Sequence, residues 1–281
     1  MKNGTLSFFI LFFMTTWTGN AQTTIGTISS DETVFYAQTK QMNQFFRRFN
    51  GEEDAAGKRL YSGDPGYHDL KARRKFINIL FDNQSPLITS DQKYVFTEEV
   101  LNKKTPYLLD FHGKDWFAEL STVFLYKKEK INIILYLKLE KQNDGYKWVF
   151  SNAWCDRFSR YFNHIGDTTN LKYFLHPMSH EVDFMNMHKI FQDDQNIDYY
   201  LEDHYIPDQL ALFVMLVKDE ALKFVSVNNL KFHIFQVPNW YFEVSYFNRN
   251  TYNSGWLISN LVRVNEKEKK ELLKQYRNSS P

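Results

Sequence analysis

Two stretches of alternating apolar and polar residues dominate the chain. KINIILYLKLEKQNDGYKWVFSNAW, at 130–154, reads as two strands joined through Asn-Asp-Gly, and LKFHIFQVPNWYFEVSYF, at 230–247, repeats the pattern around Pro-Asn. Asn-Gly-type and Pro-containing pairs between alternating runs mark hairpins. Side chains alternate between the two faces of a strand. Ile131, Ile133, Leu135, Leu137 and Leu139 therefore form a wholly aliphatic face that should meet the core. Asn132, Ile134, Tyr136, Lys138 and Glu140 form the mixed face behind it.

Helical spacing precedes each set of strands. Ser30-Asp31-Glu32 reads as an N-cap with first-turn acids. Phe35, Met42, Phe45, Phe46 and Phe49 then recur at helical spacing, and Asn50-Gly51 closes the helix. A polar, Gly-rich loop covers 51–69, and the pattern predicts a second helix over 70–81 with Ile77, Leu80 and Phe81 inward. Residues 93–115 are mixed: KYVF reads as strand and TEEVLNKK as a short helix. ELSTVFLY, INIILYLKLE and YKWVFSNAW then give three strands. No clear period runs through 156–179. Ser179 caps a helix over 180–191 whose shared face holds His180, Phe184, Met187, His188 and Phe191. ALFVMLV, LKFVSV, LKFHIFQV, WYFEVSYF and GWLISNLVRV read as strands, and 265–281 as a charged terminal helix.

The N-terminus changes the picture of location. Lys2, the apolar run LSFFILFFMTTWT at 6–18, and the small residues around Ala21 form a secretory signal pattern. The apolar run is shorter than the ~20 residues of a membrane span. The expectations are a signal peptide at 1–21, cleavage after Ala21, a periplasmic or cell-surface protein, and no transmembrane segment in the mature chain. Removing Lys2 from the 34 basic residues leaves as many as the 33 acidic ones, so the mature chain is formally neutral. A neutral chain without a clustered basic face points away from nucleic acid. Cys155 is the only cysteine, which excludes an intramolecular disulfide.

The order is helices then a meander, twice over. The expected fold class is α+β with two similar helix-plus-antiparallel-meander halves, at 22–160 and 180–281, joined by a linker at 161–179. Element order of this kind resembles the nuclear-transport-factor-2-like (SnoaL-like) superfamily, whose cystatin-like cones enclose a cleft between helix and sheet. The FFRRFNGEE run at 45–53 is similar to the opening of secreted bacterial proteins and carries over no activity.

Candidate chemistry is sparse. HPMSHEVDFMNMH at 176–188 holds His176, His180, Glu181, Asp183 and His188. His180 and His188 would lie about 12 Å apart along a helix, too far to share an ion, and Pro177 breaks the alternative pair. No metal site is expected, and no cofactor. The resemblance implies instead that His180 and Asp183 could act as an acid–base pair in the cleft. Gly57-Lys58-Arg59 lacks the Ser or Thr of a phosphate loop, and the Cys155 and His164 pair lacks any activating context. Among the aromatics, Trp148, Trp154, Trp240, Tyr241, Tyr246, Tyr252 and Trp256 could stack on a glycan or peptide or simply fill the core. His176 and His188 with Trp154, Trp240, Tyr252 and Trp256 are the expected binding residues.

These features favour a non-catalytic secreted protein that binds a small molecule, glycan or envelope protein. The alternatives are a SnoaL-like small-molecule enzyme and a structural accessory subunit of an envelope complex.

Overall fold

The structure is a computed structural model. It describes residues 39–159, 191, 200 and 208–278. The signal segment, the linker, and His164, His176, His180, Asp183 and His188 lie outside the described residues.

Among the described residues three helices come first: α1 (Met42–Asn50), α2 (Leu70–Leu80) and α3 (Ser90–Val100). Gly51 ends α1 at φ +72°, its N–H reaching the carbonyls of Arg47 and Arg48, as Asn-Gly at a helix end should. The helix does not run unbroken from Asp31. Gln41 is extended and Thr39 bridges to Gly255, so α1 begins at Met42. Asp69 caps α2 on the N–H of Ala72. Residues 93–100 are helical throughout, against the strand reading of KYVF. A capping box of Thr89 and Gln92 starts α3, and Phe96 and Val100 face inward one turn apart.

Strands β1 (Trp116–Tyr126), β2 (Glu129–Gln142) and β3 (Gly145–Trp154) follow, then the short α4 (Asp156–Ser159). ALFVMLV is not a strand: it lies in α5 (Gln209–Lys218). A short apolar run does not itself distinguish strand from helix. Asp208 decides it here, its carboxylate accepting from the N–H groups of Leu210 and Ala211. LKFVSV and LKFHI form one strand, β4 (Leu222–Ile234). Its pairing with β1 shifts register twice, leaving Asn228 and Val225 without opposite residues. β5 (Trp240–Phe247), β6 (Gly255–Arg263) and α6 (Glu266–Asn278) complete the described chain.

The six strands of the described residues join one antiparallel sheet in the order β3-β2-β1-β4-β5-β6. The protein is thus mixed α+β, with β1 and β4 forming the seam between the two meanders. The helices cross that seam. Phe45, Phe46 and Phe49 of α1, Ile77 and Leu80 of α2 and Phe96 of α3 pack with Phe232, Trp240, Phe242, Val244 and Ile258 of the later strands. Conversely, Phe213 of α5 packs with Phe124, Ile133, Leu135 and Cys155 of the earlier region. Phe242 faces α1 and α3; its neighbour Tyr241, on the opposite face, packs with Leu272, Leu273 and Tyr276 of α6. Ile133 and Leu135 are buried as the aliphatic face of β2 requires.

Candidate functional site

β3 is the outermost strand on its side of the described sheet. Tyr146, Trp148 and Phe150 alternate along it and are 44%, 41% and 50% exposed. Their pairing with Lys141, Leu139 and Leu137 puts them in one row on the α5 side, spaced about 6.6 Å per pair of residues. Asn143, at φ +53°, makes the tight turn that sends β3 back along β2. Each ring meets another ring. His112 stacks on Tyr146 at 4.2 Å between centroids. Trp116 meets Trp148 edge-on at 5.5 Å, and Phe232 lies 6.1 Å from it. Phe213 meets Phe150 edge-on at 6.0 Å. Trp116 and Phe232 are core residues, so the middle of the row rests on the core itself. Such a row offers flat apolar faces to the C–H face of a sugar, a ring or an extended peptide. Separately, an open hollow of about 510 Å³ runs along α5, lined by Leu210, Val214, Met215 and Lys218 between Asp208 and Asp219.

The opposite face carries a polar cluster that the sequence reading missed. His233 of β4 is fully buried. Its Nε2 lies 2.9 Å from Glu119 Oε2 of β1, and its Nδ1 lies 2.8 Å from the Tyr241 hydroxyl of β5. Tyr241 donates to Glu243 Oε1 at 2.7 Å and lies 3.3 Å from the Tyr276 hydroxyl of α6. Lys231 Nζ lies 3.3 Å from Glu119 and 3.7 Å from Glu243. Burial works to raise the Glu119 pKa, but His233 and Lys231 outweigh it and hold the carboxyl below its usual value. For Lys231 burial works downward, and Glu119 and Glu243 together raise it. Burial first, then the nearby Glu243, pushes the Tyr241 phenol well up. The pattern was present in the strands: Lys231 and His233, like Tyr241 and Glu243, alternate with buried apolar residues.

The expected binding residues scatter. Trp240 is buried against Phe96, and its Nε1 donates to Glu99 Oε2 at 2.7 Å. Trp256 is buried between Phe232 and Tyr246. Trp154 pairs with Ile134 beyond the bulge that leaves Ser151 unopposed, on the face away from the Tyr146–Phe150 row. Tyr252 is 65% exposed in a loop that Asn253 fixes through the Asn83 N–H and the Phe81 carbonyl. Cys155 is buried, and burial raises its thiol pKa, the setting of an inert thiol. Among the described residues no three His, Cys, Asp or Glu side chains group to hold a metal ion, and no helix is long and apolar enough to cross a membrane.

Comparison with family models, with curated proteins and with solved structures finds no match to this chain.

Proposed function

We propose that this chain is a secreted, non-catalytic binding protein whose ligand stacks on the row of Tyr146, Trp148 and Phe150. The carrying observation is that three half-exposed rings stand in register on one strand face, each in contact with another ring, Trp148 and Phe150 with buried ones. Rings already fixed in place lose little side-chain entropy when a ligand arrives.

The ligand classes are those the sequence suggests: a small molecule, a glycan or an envelope protein. The row favours an extended one, because its rings repeat along the strand. Localisation in the periplasm or at the cell surface rests on the signal pattern at 1–21. The strand order β3-β2-β1-β4-β5-β6 supports reading the two meanders as an internal duplication about the β1–β4 seam. The nuclear-transport-factor-2-like cone remains the proposed ancestry of each half.

The test is a thermal-shift screen of residues 22–281 against oligosaccharides, metabolites and extended peptides. A ligand at 100 times its dissociation constant adds about 2.7 kcal/mol. A hit abolished in the Tyr146→Ala, Trp148→Ala, Phe150→Ala triple variant supports the reading. A hit that persists in that variant, in a folded protein, overturns it.

A further inference from the structure

We infer that the ligand is an extended peptide of a partner protein, which adds as a further strand on the open side of β3. This rests on the ring row proposed above and names the occupant that the row takes. Asn143 and Asp144 form a two-residue loop between the paired Gln142 and Gly145, and the closing pair of such a hairpin is hydrogen-bonded. From there, antiparallel pairs alternate between bonded and non-bonded. Glu140–Lys147 and Lys138–Val149 are therefore bonded pairs, and Lys141–Tyr146, Leu139–Trp148 and Leu137–Phe150 are not. The backbone N–H and C=O groups of Tyr146, Trp148 and Phe150 point away from β2, to the side where no strand of the described residues pairs. The bulge at Ser151 lies beyond this run and leaves its alternation unbroken. The three residues that carry the rings thus also carry the free backbone groups.

The opposite edge of the sheet is treated differently. Thr39 and Phe81 bridge to Gly255 and Ile258, the Trp256 N–H donates to the Thr39 carbonyl, and the Asp82 N–H donates to the Ile258 carbonyl. Chain beside α1 and α2 therefore covers β6, while β3 has no such cover among the described residues. A row of free backbone groups is matched by another backbone, as when a peptide extends a sheet. An extended peptide repeats its side chains about every 6.6 Å, the spacing of the rings, so each ring meets one side chain of the added strand. Charge sets the other side chains. On the face away from the rings, Lys138 and Lys147 stand against one carboxylate, Glu140, and on the ring face Lys141 stands beside Tyr146. The peptide that fits alternates apolar residues, beside the rings, with acidic residues, beside Lys147.

The test is amide hydrogen exchange with indole NMR of residues 22–281, first alone and then with synthetic heptapeptides that alternate apolar and acidic residues. Alone, the amides of Tyr146, Trp148 and Phe150 should exchange faster than those of Lys147 and Val149. Equal protection of all five would show an edge already covered and overturns the inference. A heptapeptide at 100 times its dissociation constant should slow the first three amides about a hundredfold and shift the Trp148 indole. N-methylation of one alternate set of peptide residues should abolish binding and of the other set spare it, because only one set donates toward β3. A heptapeptide that shifts Trp148 without slowing those amides overturns strand addition. Absence of binding by any heptapeptide also overturns it, and an oligosaccharide that then shifts Trp148 leaves the ring row standing as the site. Heptapeptide binding that persists in a folded Tyr146→Ala, Trp148→Ala, Phe150→Ala variant overturns the ring row itself. Protection of the three amides that grows with protein concentration, without peptide, makes a second copy the occupant and overturns the peptide.

Discussion

Trp240 Nε1 donates to Glu99 Oε2 at 2.7 Å, tying a strand of the second meander to a helix that precedes the first. The bond sits at the edge of a core in which Phe96 meets both Trp240 and Phe242 edge-on. Replacing Trp240 by Phe keeps most of the buried ring and removes the donor, at about 1 kcal/mol. Trp240→Ala leaves a cavity and should cost about 3–5 kcal/mol. Urea denaturation of both variants measures the difference; equal losses would contradict this division.

The same crossed packing predicts that neither 22–160 nor 161–281 folds alone. The first lacks Phe232, Phe242 and Ile258 beneath its helices, and the second lacks Ile133 and Leu135 beneath Phe213. Circular dichroism and amide dispersion of each fragment should show unfolded chains. A cooperatively melting fragment would be contrary to the packing described.

Gly255 sits at φ +92°, and a Cβ there would come within 2.5 Å of the Thr39 carbonyl oxygen. That oxygen accepts the Trp256 N–H at 2.9 Å, which seats the entry to α1 against β6. Gly255→Ala must therefore distort backbone on both sides and should cost about 2–3 kcal/mol. Thermal unfolding checks it, and a shift near zero would mean that the bridge yields freely.

Much of this was legible in the chain. Helical spacing of Phe45, Phe46 and Phe49 and the Asn50-Gly51 stop located the end of α1, and Asn-Asp-Gly located the β2–β3 turn. The strand reading of parts of α3 and α5 arises because KYVF and ALFVMLV are apolar runs too short to fix a period. The cap residues Thr89, Gln92 and Asp208 were the overlooked signals. The polar residues of the cluster alternate visibly along their strands, but their meeting is not legible for another reason. Glu119 and His233 are 114 residues apart and meet only because β1 lies beside β4. The alternation of Tyr146, Trp148 and Phe150 was plain, but their exposure depends on β3 being outermost, which is a property of the assembled sheet.

Glu119 and Lys231 define a stability plateau. The Glu119 pKa lies below its ordinary 4.5 in the fold, so its contribution is complete above about 4.5 and is lost as pH falls through the folded value. The Lys231 pKa lies above its ordinary 10.5, so its contribution holds below that and is lost as pH rises through the folded value. Melting temperature against pH should lose part of its acid limb in Glu119→Gln. An unchanged acid limb would show that this carboxylate contributes nothing.

Cys155 is 1% exposed and its thiol pKa is raised by burial. Alkylation by iodoacetamide at neutral pH should be at least about a hundredfold slower in the native chain than in urea, because the thiolate is the reacting form and reagent cannot reach it. Mass spectrometry reads the rate directly. Labelling as fast as in the unfolded chain would place the thiol at the surface.

The most direct test of the binding account is an NMR titration that follows the indole N–H signals of residues 22–281 with glucan, chitin and peptidoglycan oligosaccharides and with extended peptides. The account predicts that a binding ligand shifts the Trp148 indole strongly and leaves those of the buried Trp240 and Trp256 nearly still. Saturable binding that leaves Trp148 unmoved would contradict it.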